Sequence, residues 1–400
     1  MSSLGRTGFR IMLGASLALF LSLGIRHAFG IFLSPMSLDL GWGREVFAFA
    51  IALQNLVWGL TQPFTGALAD RYGARRTLII SSVLYSIGLL LMALSDTPFM
   101  LSVSAGLLIG LGLSGTSFSV LLSVVGRAVA PSQRSMAMGI AAAAGSFGQF
   151  AMLPGSLGLI EWLGWSGALL ILGGLAALIL PLCLLINDQP SVHHGPTQSM
   201  GDALREALGH PGFRLLAMGF FVCGFQVVFI GVHLPAYLTD HSLPVVVGTT
   251  VLALVGLFNI FGTYIAGWLG GRVSKPKLLS ALYLTRSVII LLFITLPLNA
   301  WTAYAFGIAM GLLWLSTVPL TNATVATLFG VRNLSMLTGI VFLMHQIGAF
   351  LGGWLGGYLY DRTGSYDLVW YIAIALSVVA AALNWPIQER PVARLQQAQA

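Results

Sequence analysis

Five ionisable side chains lie inside long apolar stretches of the sequence and are the candidates for chemistry. They are Arg26, His27, His233, Arg286 and His345. All five are basic, whereas every Asp and Glu can be placed in a loop or at a helix end. The planar guanidinium of arginine binds a carboxylate through two parallel hydrogen bonds, and histidine exchanges a proton near neutral pH. The pattern therefore predicts binding of a small organic anion together with a proton.

The rest of the sequence predicts a membrane protein. Of the 400 residues, 57% are hydrophobic and only 8% are charged, whereas a soluble globular domain carries roughly 25% charged residues. The apolar stretches have the length of about 20 residues that a helix needs to cross the hydrocarbon core. They predict an all-α protein with twelve membrane-spanning helices, at residues 10–34, 45–69, 77–95, 99–126, 136–160, 166–187, 212–236, 245–268, 278–297, 300–328, 335–359 and 367–387.

Positive charge is unevenly distributed over the loops between these helices. The outer loops hold only Arg44 and Arg362. The inner segments hold Arg6, Arg10, Arg71, Arg75, Arg76, Arg127, Arg134, Arg205, Arg214, Arg272, Lys275, Lys277, Arg332, Arg390 and Arg394. Because positive loops stay on the cytoplasmic side, we expect both termini in the cytoplasm and a multi-pass protein of the plasma (inner) membrane. The net charge of +7 then reflects topology, and no nucleic-acid partner is expected.

The sequence also repeats itself at an offset of 200 residues. Ser135-Met136-x-x-Gly139-Ile140 recurs as Ser335-Met336-x-x-Gly339-Ile340, and Gly24 and Gly148 match Gly224 and Gly348. We therefore expect two six-helix bundles, residues 1–187 and 212–400, joined by a cytoplasmic linker, residues 188–211. The linker histidines His193 and His194 are interpreted as part of a solvated tether, and metal binding is the less favoured alternative.

The repeat suggests roles for the intramembrane residues. Arg26 has Gln226 as its equivalent in the second half, and the two predict a carboxylate cradle between the bundles. The alternative is an arginine that bonds backbone carbonyls near the outer gate. His345 is expected close to the bilayer midplane as a residue that binds substrate and takes up its proton, or else as a neutral histidine bonded between helices.

For the other candidates, a structural role is at least as well supported as a role in binding substrate or a proton. Arg286 is as much a candidate for bonding a neighbouring helix as for binding a ligand. His27 is a second proton-coupling candidate, although it points about 100° away from Arg26 around the helix. Supporting substrate contacts are predicted for polar or aromatic residues that could equally bond neighbouring helices, namely Gln149, Asn259, Trp314 and Thr317.

One loop carries a motif that indicates a family. The segment GALADRYGARR (66–76) follows the second predicted helix, and a degenerate form, GWLGGRVSKPK (267–277), follows the eighth. Both resemble the signature loop of the major facilitator superfamily. That resemblance implies a secondary transporter with alternating access, and a gating role for the motif residues Gly66, Asp70, Arg71, Gly73, Arg75 and Arg76.

Within that superfamily the chain most resembles the monocarboxylate transporter and oxalate:formate antiporter branch. The resemblance rests on Arg134-x-x-x-x-Gly139 and on Asp361-x-x-Gly364-x-Tyr366. The absence of buried acidic side chains motivates the leading hypothesis, which is proton-coupled symport of a small monocarboxylate. The eighth helix lacks the charged residues that those transporters carry and offers Asn259 instead, while His345 stands where the antiporters have a lysine.

Alternatives remain open at this point. An organic-anion exchanger is the second hypothesis, and a drug efflux pump is less favoured. The sequence contains no Walker A lysine, no zinc-ligand spacing and no Ser/His/Asp arrangement, so neither an enzyme nor a cofactor or metal is expected. We expect the protein to work as a monomer in the lipid bilayer, with the anion and protons as its partners.

Overall fold

The structure is a computed structural model that describes residues 6–129, 134–186, 200–330 and 334–393. The description excludes the side chains of Arg6, Asp70, Arg71, Arg134, Ser135, Met200 and Ser335. Regular secondary structure within the described ranges is helical throughout. The first half contains α1 Arg6–His27, a 3-10 turn Phe29–Phe32, α2 Leu33–Asp39, α3 Arg44–Tyr72, α4 Ala74–Ala93, α5 Pro98–Leu101, a π-helical segment Ser102–Leu108, α6 Ile109–Thr116, α7 Phe118–Ala128, α8 Arg134–Ala177 and α9 Ile179–Leu182.

The second half continues the same architecture. It contains α10 Met200–Gly209, α11 Pro211–Asp240, α12 Val245–Gly270, α13 Lys275–Thr295, α14 Ala300–Leu313, α15 Thr317–Phe329, α16 Leu334–Thr363 and α17 Asp367–Asn384. Helix α10 is amphipathic and lies within the predicted linker, residues 188–211, for which the sequence predicts a solvated tether. His193 and His194 lie outside the described residues.

Ten segments of the described chain are long and apolar enough to cross a membrane. One of them, Met136–Leu185, has 50 residues, and it is bent at Gly164, whose φ of 72° breaks the helical path. Helix α3 is not among the ten, although its 29 residues exceed the roughly 20 that span hydrocarbon. These two features account for the difference from twelve, and the number twelve and the placement of the termini stay predictions.

Helix ends follow from local sequence. Thr97 accepts the backbone N–H of Met100 at 3.2 Å and Pro98 begins α5, a position that suits proline because its missing N–H has no helical acceptor. Asn299 and Thr302 form a reciprocal capping box at the start of α14. Gly73 connects α3 directly to α4 with φ 90°, a backbone conformation that favours glycine.

The glycines of the internal repeat occupy equivalent helix contacts. Gly24 on α1 and Gly148 on α8 face each other so closely that a methyl group on either would overlap the neighbouring helix. Gly224 on α11 and Gly348 on α16 do the same in the second half. Close backbone approach at small residues is how membrane helices gain packing energy without a hydrophobic driving force, so the repeat has a physical basis in these two helix pairs.

We call the end that carries Arg44 the outer end and the end that carries residues 66–76 the inner end, following the predicted orientation. Two long helix pairs join the halves, α3 with α16 and α8 with α12, and α11 also contacts the 3-10 turn Phe29–Phe32 and α2. Towards the outer end, a methyl group on Gly357 of α16 would overlap Ala48 of α3. At the inner end, a methyl group on any of four glycines would meet no atom within 4 Å: Gly66, Gly139, Gly267 and Gly339. The halves are therefore packed together at the outer end, and open space surrounds these four glycines at the inner end.

Candidate functional site

Arg26 lies at the end of α1 and is held by helix α3. Its Nη2 donates to Asn55 Oδ1 at 2.6 Å, and its guanidinium carbon lies 5.1 Å from the centre of the Trp58 ring. Asn55 is itself fixed by a hydrogen bond from Nδ2 to the Ile51 carbonyl at 2.7 Å. The Nε of Arg26 is buried and has no acceptor. The guanidinium is thus positioned by neutral groups and keeps a donor available.

A small cavity adjoins Arg26 and His27 between α1, α3 and α11. Its volume is about 30 Å³, which holds about one water molecule and excludes an organic acid. Val228 and Gly231 of α11 contribute to its lining. His27 Nδ1 donates to the Leu23 carbonyl at 2.6 Å, so this nitrogen carries a proton. Arg26 and His27 therefore share one small cavity, and their predicted roles in substrate binding and proton coupling stay predictions.

His345 lies on α16 between two phenylalanines. Its ring is stacked on Phe342, with 5.7 Å between centroids and 8° between planes, and it lies 4.8 Å from Phe220 of α11. Its Nδ1 is 3.3 Å from Gln346 Oε1. The side chain is 7% exposed. The imidazole is therefore held in an aromatic setting without a described carboxylate partner, and its role as a proton carrier stays a prediction.

Arg286 is fully buried, and its guanidinium is bonded to the protein. Nη2 donates to the carbonyls of Leu313 and, at 2.6 Å, of Trp314, while Nη1 donates to Gln226 Oε1 at 3.4 Å. The two carbonyls lie at the break between α14 and α15, where a helix interruption leaves them without helical donors. This geometry matches the structural alternative for Arg286.

Gln226 makes its described hydrogen bonds within its own half, and its predicted cradle with Arg26 stays a prediction. Its Nε2 donates to the Ala373 carbonyl at 2.9 Å and to Ser377 Oγ at 2.5 Å, both on α17. Its Oε1 accepts from Arg286. Its described hydrogen bonds all go to helices of its own half. Sequence equivalence under the repeat does not specify which way a side chain points.

Gln149 and Asn259 join the two halves near the middle of the molecule. Gln149 Nε2 on α8 donates to the Leu252 carbonyl on α12 at 3.1 Å. Asn259 Nδ2 on α12 donates to Ser146 Oγ on α8 at 3.0 Å. Trp314 and Thr317 lie deeper in the second half, beside Arg286 and Cys223 respectively. The predicted supporting residues thus form two groups, one between the halves and one within the second half.

The outer end carries functional candidates that the sequence analysis missed. Arg44 at the start of α3 pairs with Asp240 at the end of α11 and also donates to the Tyr366 hydroxyl at 2.9 Å. Asp361 accepts the backbone N–H groups of Arg44 at 3.0 Å and Glu45 at 2.8 Å. In the sequence alone, Arg44 is only an outer-loop charge, and Asp361 and Tyr366 are only parts of a family motif.

His233 extends this arrangement into the membrane. Burial raises the pKa of Tyr366 well above its usual value, so its hydroxyl keeps its proton while accepting from Arg44. That proton is donated to His233 Nδ1, 3.1 Å away, and His233 Nε2 donates to the Gly353 carbonyl at 2.8 Å. We refer to Arg44, Asp240, Asp361, Tyr366 and His233 as the Arg44 network; it joins α3 of the first half to α11, α16 and α17 of the second.

The predicted gate motif lies at the inner end. Gly66 has open space around it, and Arg75 and Arg76 are exposed. The side chains of Asp70 and Arg71 lie outside the described residues. The gating role of the motif therefore stays a prediction.

Comparison with known proteins identifies the family. The profile of the family described as Major Facilitator Superfamily matches residues 15–324. The chain is 27% identical to the MFS-type transporter YcxA of Bacillus subtilis (strain 168), covering 93% of this chain and 92% of that protein. It is 27% identical to monocarboxylate transporter 11 of Homo sapiens over 86% of this chain and 75% of that one. It is 26% identical to monocarboxylate transporter 13 of Bos taurus, covering 95% of this chain and 89% of that one.

A solved structure has the same fold. It is a bacterial homolog of the human lysosomal transporter Spinster, captured in an inward-facing and unoccupied conformation. The two superpose with a TM-score of 0.75 at 14% sequence identity, over 95% of this chain and 96% of that one. The all-helical architecture, the apolar spans and the profile match together confirm the fold class predicted from the sequence. The chain belongs to the major facilitator superfamily of membrane transporters.

Proposed function

We propose that the protein is a proton-coupled symporter of a small, monocarboxylate-like organic anion. It works by alternating access in the plasma (inner) membrane and acts as a monomer. The observation that carries the proposal is Arg26, a cation between the two halves whose described hydrogen-bond partner is a neutral amide and whose Nε has no acceptor. A membrane-embedded arginine is costly without a partner, and an anionic cargo supplies one.

Arg26 is suited to a carboxylate by geometry as well as by charge. Asn55 and Trp58 fix the plane of the guanidinium, and a fixed guanidinium plane favours a planar carboxylate in a bidentate arrangement. Gln149 and Asn259 bridge the halves nearby and can donate further hydrogen bonds once the halves move. Arg286, whose Nη atoms donate to two protein carbonyls and to Gln226, supports the fold of the second half in this proposal.

The packing of the halves supports alternating access. The Arg44 network joins the halves at the outer end, and open space surrounds Gly66, Gly139, Gly267 and Gly339 at the inner end. We propose that residues 1–187 and 212–400 move as two bundles about a substrate site at their interface, with residues 188–211 as the linker. The gate motif around Asp70 would close the inner end.

The relatives support the class of cargo. Two of those named above are monocarboxylate transporters. The membrane interior of this chain also carries the histidine His345, and an imidazole can accept and release a proton. We assign proton uptake to His345, with His27 as the secondary candidate.

A ligand-stabilisation screen tests the binding claim. Purified protein is heated with acetate, lactate, pyruvate, oxalate and benzoate, and a bound anion raises the melting temperature by mass action. Arg26→Gln should weaken binding by about 10- to 100-fold, because a hydrogen bond to a charged group contributes about 1.5–3 kcal/mol. Arg214→Gln is the matched control, since Arg214 is exposed at the inner end. Equal binding by Arg26→Gln and wild type contradicts the proposal.

Transport measurements test the coupling claim. Addition of lactate to de-energised cells should make the medium more alkaline if a proton enters with each anion. Counterflow in proteoliposomes that proceeds equally well without a pH gradient, with no such alkalinisation, indicates organic-anion exchange instead. Efflux of apolar drugs with no response to any carboxylate indicates the drug-pump alternative.

A further inference from the structure

His233 is a fully buried histidine to which the proposed function gives no role. It is 0% exposed, and both nitrogens of its ring have partners outside α11. Nε2 lies 2.8 Å from the Gly353 carbonyl of α16, and Nδ1 lies 3.1 Å from the Tyr366 hydroxyl. Since a carbonyl oxygen only accepts, Nε2 carries a proton. In the neutral ring Nδ1 is therefore the acceptor, and the Tyr366 hydroxyl donates to it.

The imidazole of His233 is held in this orientation by close packing. A methyl group on Gly356 of α16 would overlap the ring. The ring centres of Phe229 and Tyr366 lie 5.8 Å and 5.2 Å from that of His233. The closed outer end therefore fits one particular form of His233, the neutral ring with its proton on Nε2.

The Tyr366 hydroxyl connects this histidine to a contact between the halves. Its oxygen accepts from Arg44 Nη1 on α3 at 2.9 Å, and the same nitrogen donates to Asp240 Oδ2 at 2.7 Å. Tyr366 is 2% exposed, so its hydroxyl depends on these protein partners. A change at His233 in the second half is thus transmitted through one hydroxyl to an arginine of the first half.

We propose that His233 is a proton-binding site that controls the outer end: the neutral form fits the closed outer end, and a proton bound from the outer side favours opening. The inference rests on the proposed function, because it concerns the outward opening of the same alternating-access cycle. This proton site is separate from His345, to which proton uptake with the anion is assigned.

A proton bound at Nδ1 reverses one hydrogen bond. The step forms one N–H bond, to a proton taken from a hydronium ion of the outer water, and breaks no bond of the protein. An imidazolium has two N–H groups and no acceptor, so Nδ1 then donates to the Tyr366 oxygen and the hydroxyl proton needs a new acceptor. The Asp240 carboxylate shares Arg44 Nη1 with that oxygen. A hydroxyl that turns towards this carboxylate competes with Arg44 for it.

The charges near His233 act in opposite directions, and the hydrogen bonds decide between them. Arg44 disfavours an imidazolium, whereas the carboxylates of Asp240 and Asp361 favour it. Both carboxylates already bind Arg44, one through its guanidinium and the other through its backbone N–H, while Tyr366 bonds the ring directly. The titratable or charged groups that the surrounding elements present are Tyr237 and Asp240 on α11, Arg44 on α3, Tyr360 and Asp361 on α16, and Tyr366 before α17.

Proton binding and opening are then linked. In the closed state the described hydrogen bonds accommodate the neutral ring, and in an open state water solvates the imidazole, which takes up a proton in acid. A ligand that binds one of two states better shifts the equilibrium towards that state. Acid on the outer side therefore increases the open fraction.

The test is cysteine labelling of the full-length protein at two external pH values. In a Cys183→Ser/Cys223→Ser background, Ile51→Cys reports access to the cavity beside Arg26. Leu38→Cys, at an 83% exposed position of α2, corrects for the pH dependence of the maleimide reaction. The ratio of the two labelling rates should rise up to about tenfold from pH 7.5 to pH 5.5, the limit for a histidine that titrates near 6.5 when open and binds no proton when closed.

Variants identify the titrating group. His233→Gln and His233→Asn, two side chains of different length that do not titrate, should lose the rise. His241→Gln is the matched control: this histidine is also at the outer end, where its ring lies 4.4 Å from that of Tyr237, and the variant should keep the rise. In proteoliposomes, acid on the inner side alone should leave the ratio unchanged, a measurement that needs no change at His233.

The outcomes separate this inference from the proposed symport. A ratio that does not rise in external acid, that rises equally with internal acid, or that rises fully in the His233 variants overturns the inference. Labelling needs no cargo, so it is independent of the alkalinisation that lactate should cause. An acid-dependent ratio without alkalinisation keeps the inference and overturns symport, whereas alkalinisation with a constant ratio does the reverse.

Discussion

Arg44 and Asp240 are joined by two parallel hydrogen bonds, from Nη1 to Oδ2 at 2.7 Å and from Nη2 to Oδ1 at 2.6 Å. The pair links α3 of the first half to α11 of the second at the outer end, where the two halves are closed. Its side chains are 16% and 28% exposed, so the interaction is partly screened by solvent. An ion pair in this position stabilises the closed outer end relative to an open one.

Loss of this pair should open the outer end. A cysteine placed at Ile51, which lines the small cavity beside Arg26, reports access in a Cys183→Ser/Cys223→Ser background. Arg44→Ala should increase its labelling by an external maleimide about fivefold, because a partly exposed pair contributes about 1 kcal/mol. Arg362→Ala is the control, since Arg362 is 55% exposed and lies 3.7 Å from Glu45. Equal labelling of Arg44→Ala and Arg362→Ala would show that the pair does not hold the outer end closed.

Gly43→Ala should destabilise the same region. A methyl group at Gly43 would overlap the Asp361 carboxylate, which would have to leave the backbone N–H groups of Arg44 and Glu45. We expect a lower melting temperature and faster labelling at Ile51→Cys. Gly155→Ala on α8, where a methyl group meets no atom within 4 Å, is the matched control and should be neutral or stabilising. A Gly43→Ala protein as stable as Gly155→Ala contradicts this role of Asp361.

Arg286→Met should unfold at a lower temperature in detergent. The substitution leaves the carbonyls of Leu313 and Trp314 without donors inside the second half, which costs about 1–3 kcal/mol per unsatisfied buried group. Arg286→Lys should recover part of the loss because it restores a single donor. Arg214→Met, at an exposed position, should change the melting temperature little. Similar melting temperatures for the two methionine variants would exclude a structural role for Arg286.

His210 should make stability depend on pH. This residue precedes α11 outside the membrane span, and partial burial lowers its pKa from the usual value near 6.5. The unfolded chain therefore binds more protons than the folded one between the lowered pKa and about 6.5, so stability is present above that window and falls as the pH decreases through it. His210→Gln should flatten the dependence of the melting temperature between about pH 7 and pH 5. If the melting temperature of His210→Gln depends on pH as steeply as that of the wild type, the dependence arises from another group.

The helices could be predicted well from the sequence because each membrane span consists of a long apolar stretch. Helix α11 was expected at 212–236 and lies at Pro211–Asp240; α12 was expected at 245–268 and lies at Val245–Gly270. Helix α10 was missed because its ten residues are too short and polar to register as a span. In a polar segment, low apolar content is compatible both with a short interfacial helix and with a solvated tether, so composition alone does not distinguish the two.

The site was harder to predict because side-chain direction is not encoded in helix position. Gln226 and Arg286 were both found on the expected helices, but they bond to each other and to helices of their own half. Arg44 was visible as a rare outer charge, and the Asp361-x-x-Gly364-x-Tyr366 motif was visible as a pattern. Only the tertiary structure showed that these residues meet, since Asp361 is 317 residues away from Arg44 in sequence.

Asp361 also has a consequence for the energy profile of turnover. The first amides of α3 carry the partial positive charge of a helix terminus, and a carboxylate supplied by α16 of the opposite half satisfies two of them. When the halves separate at the outer end, the N-terminus of α3 loses its hydrogen bonds to the Asp361 carboxylate. Its N–H groups are then solvated by water. Each cycle of the transporter would thus uncap and recap one helix, which makes the stability of α3 itself dependent on the conformational state.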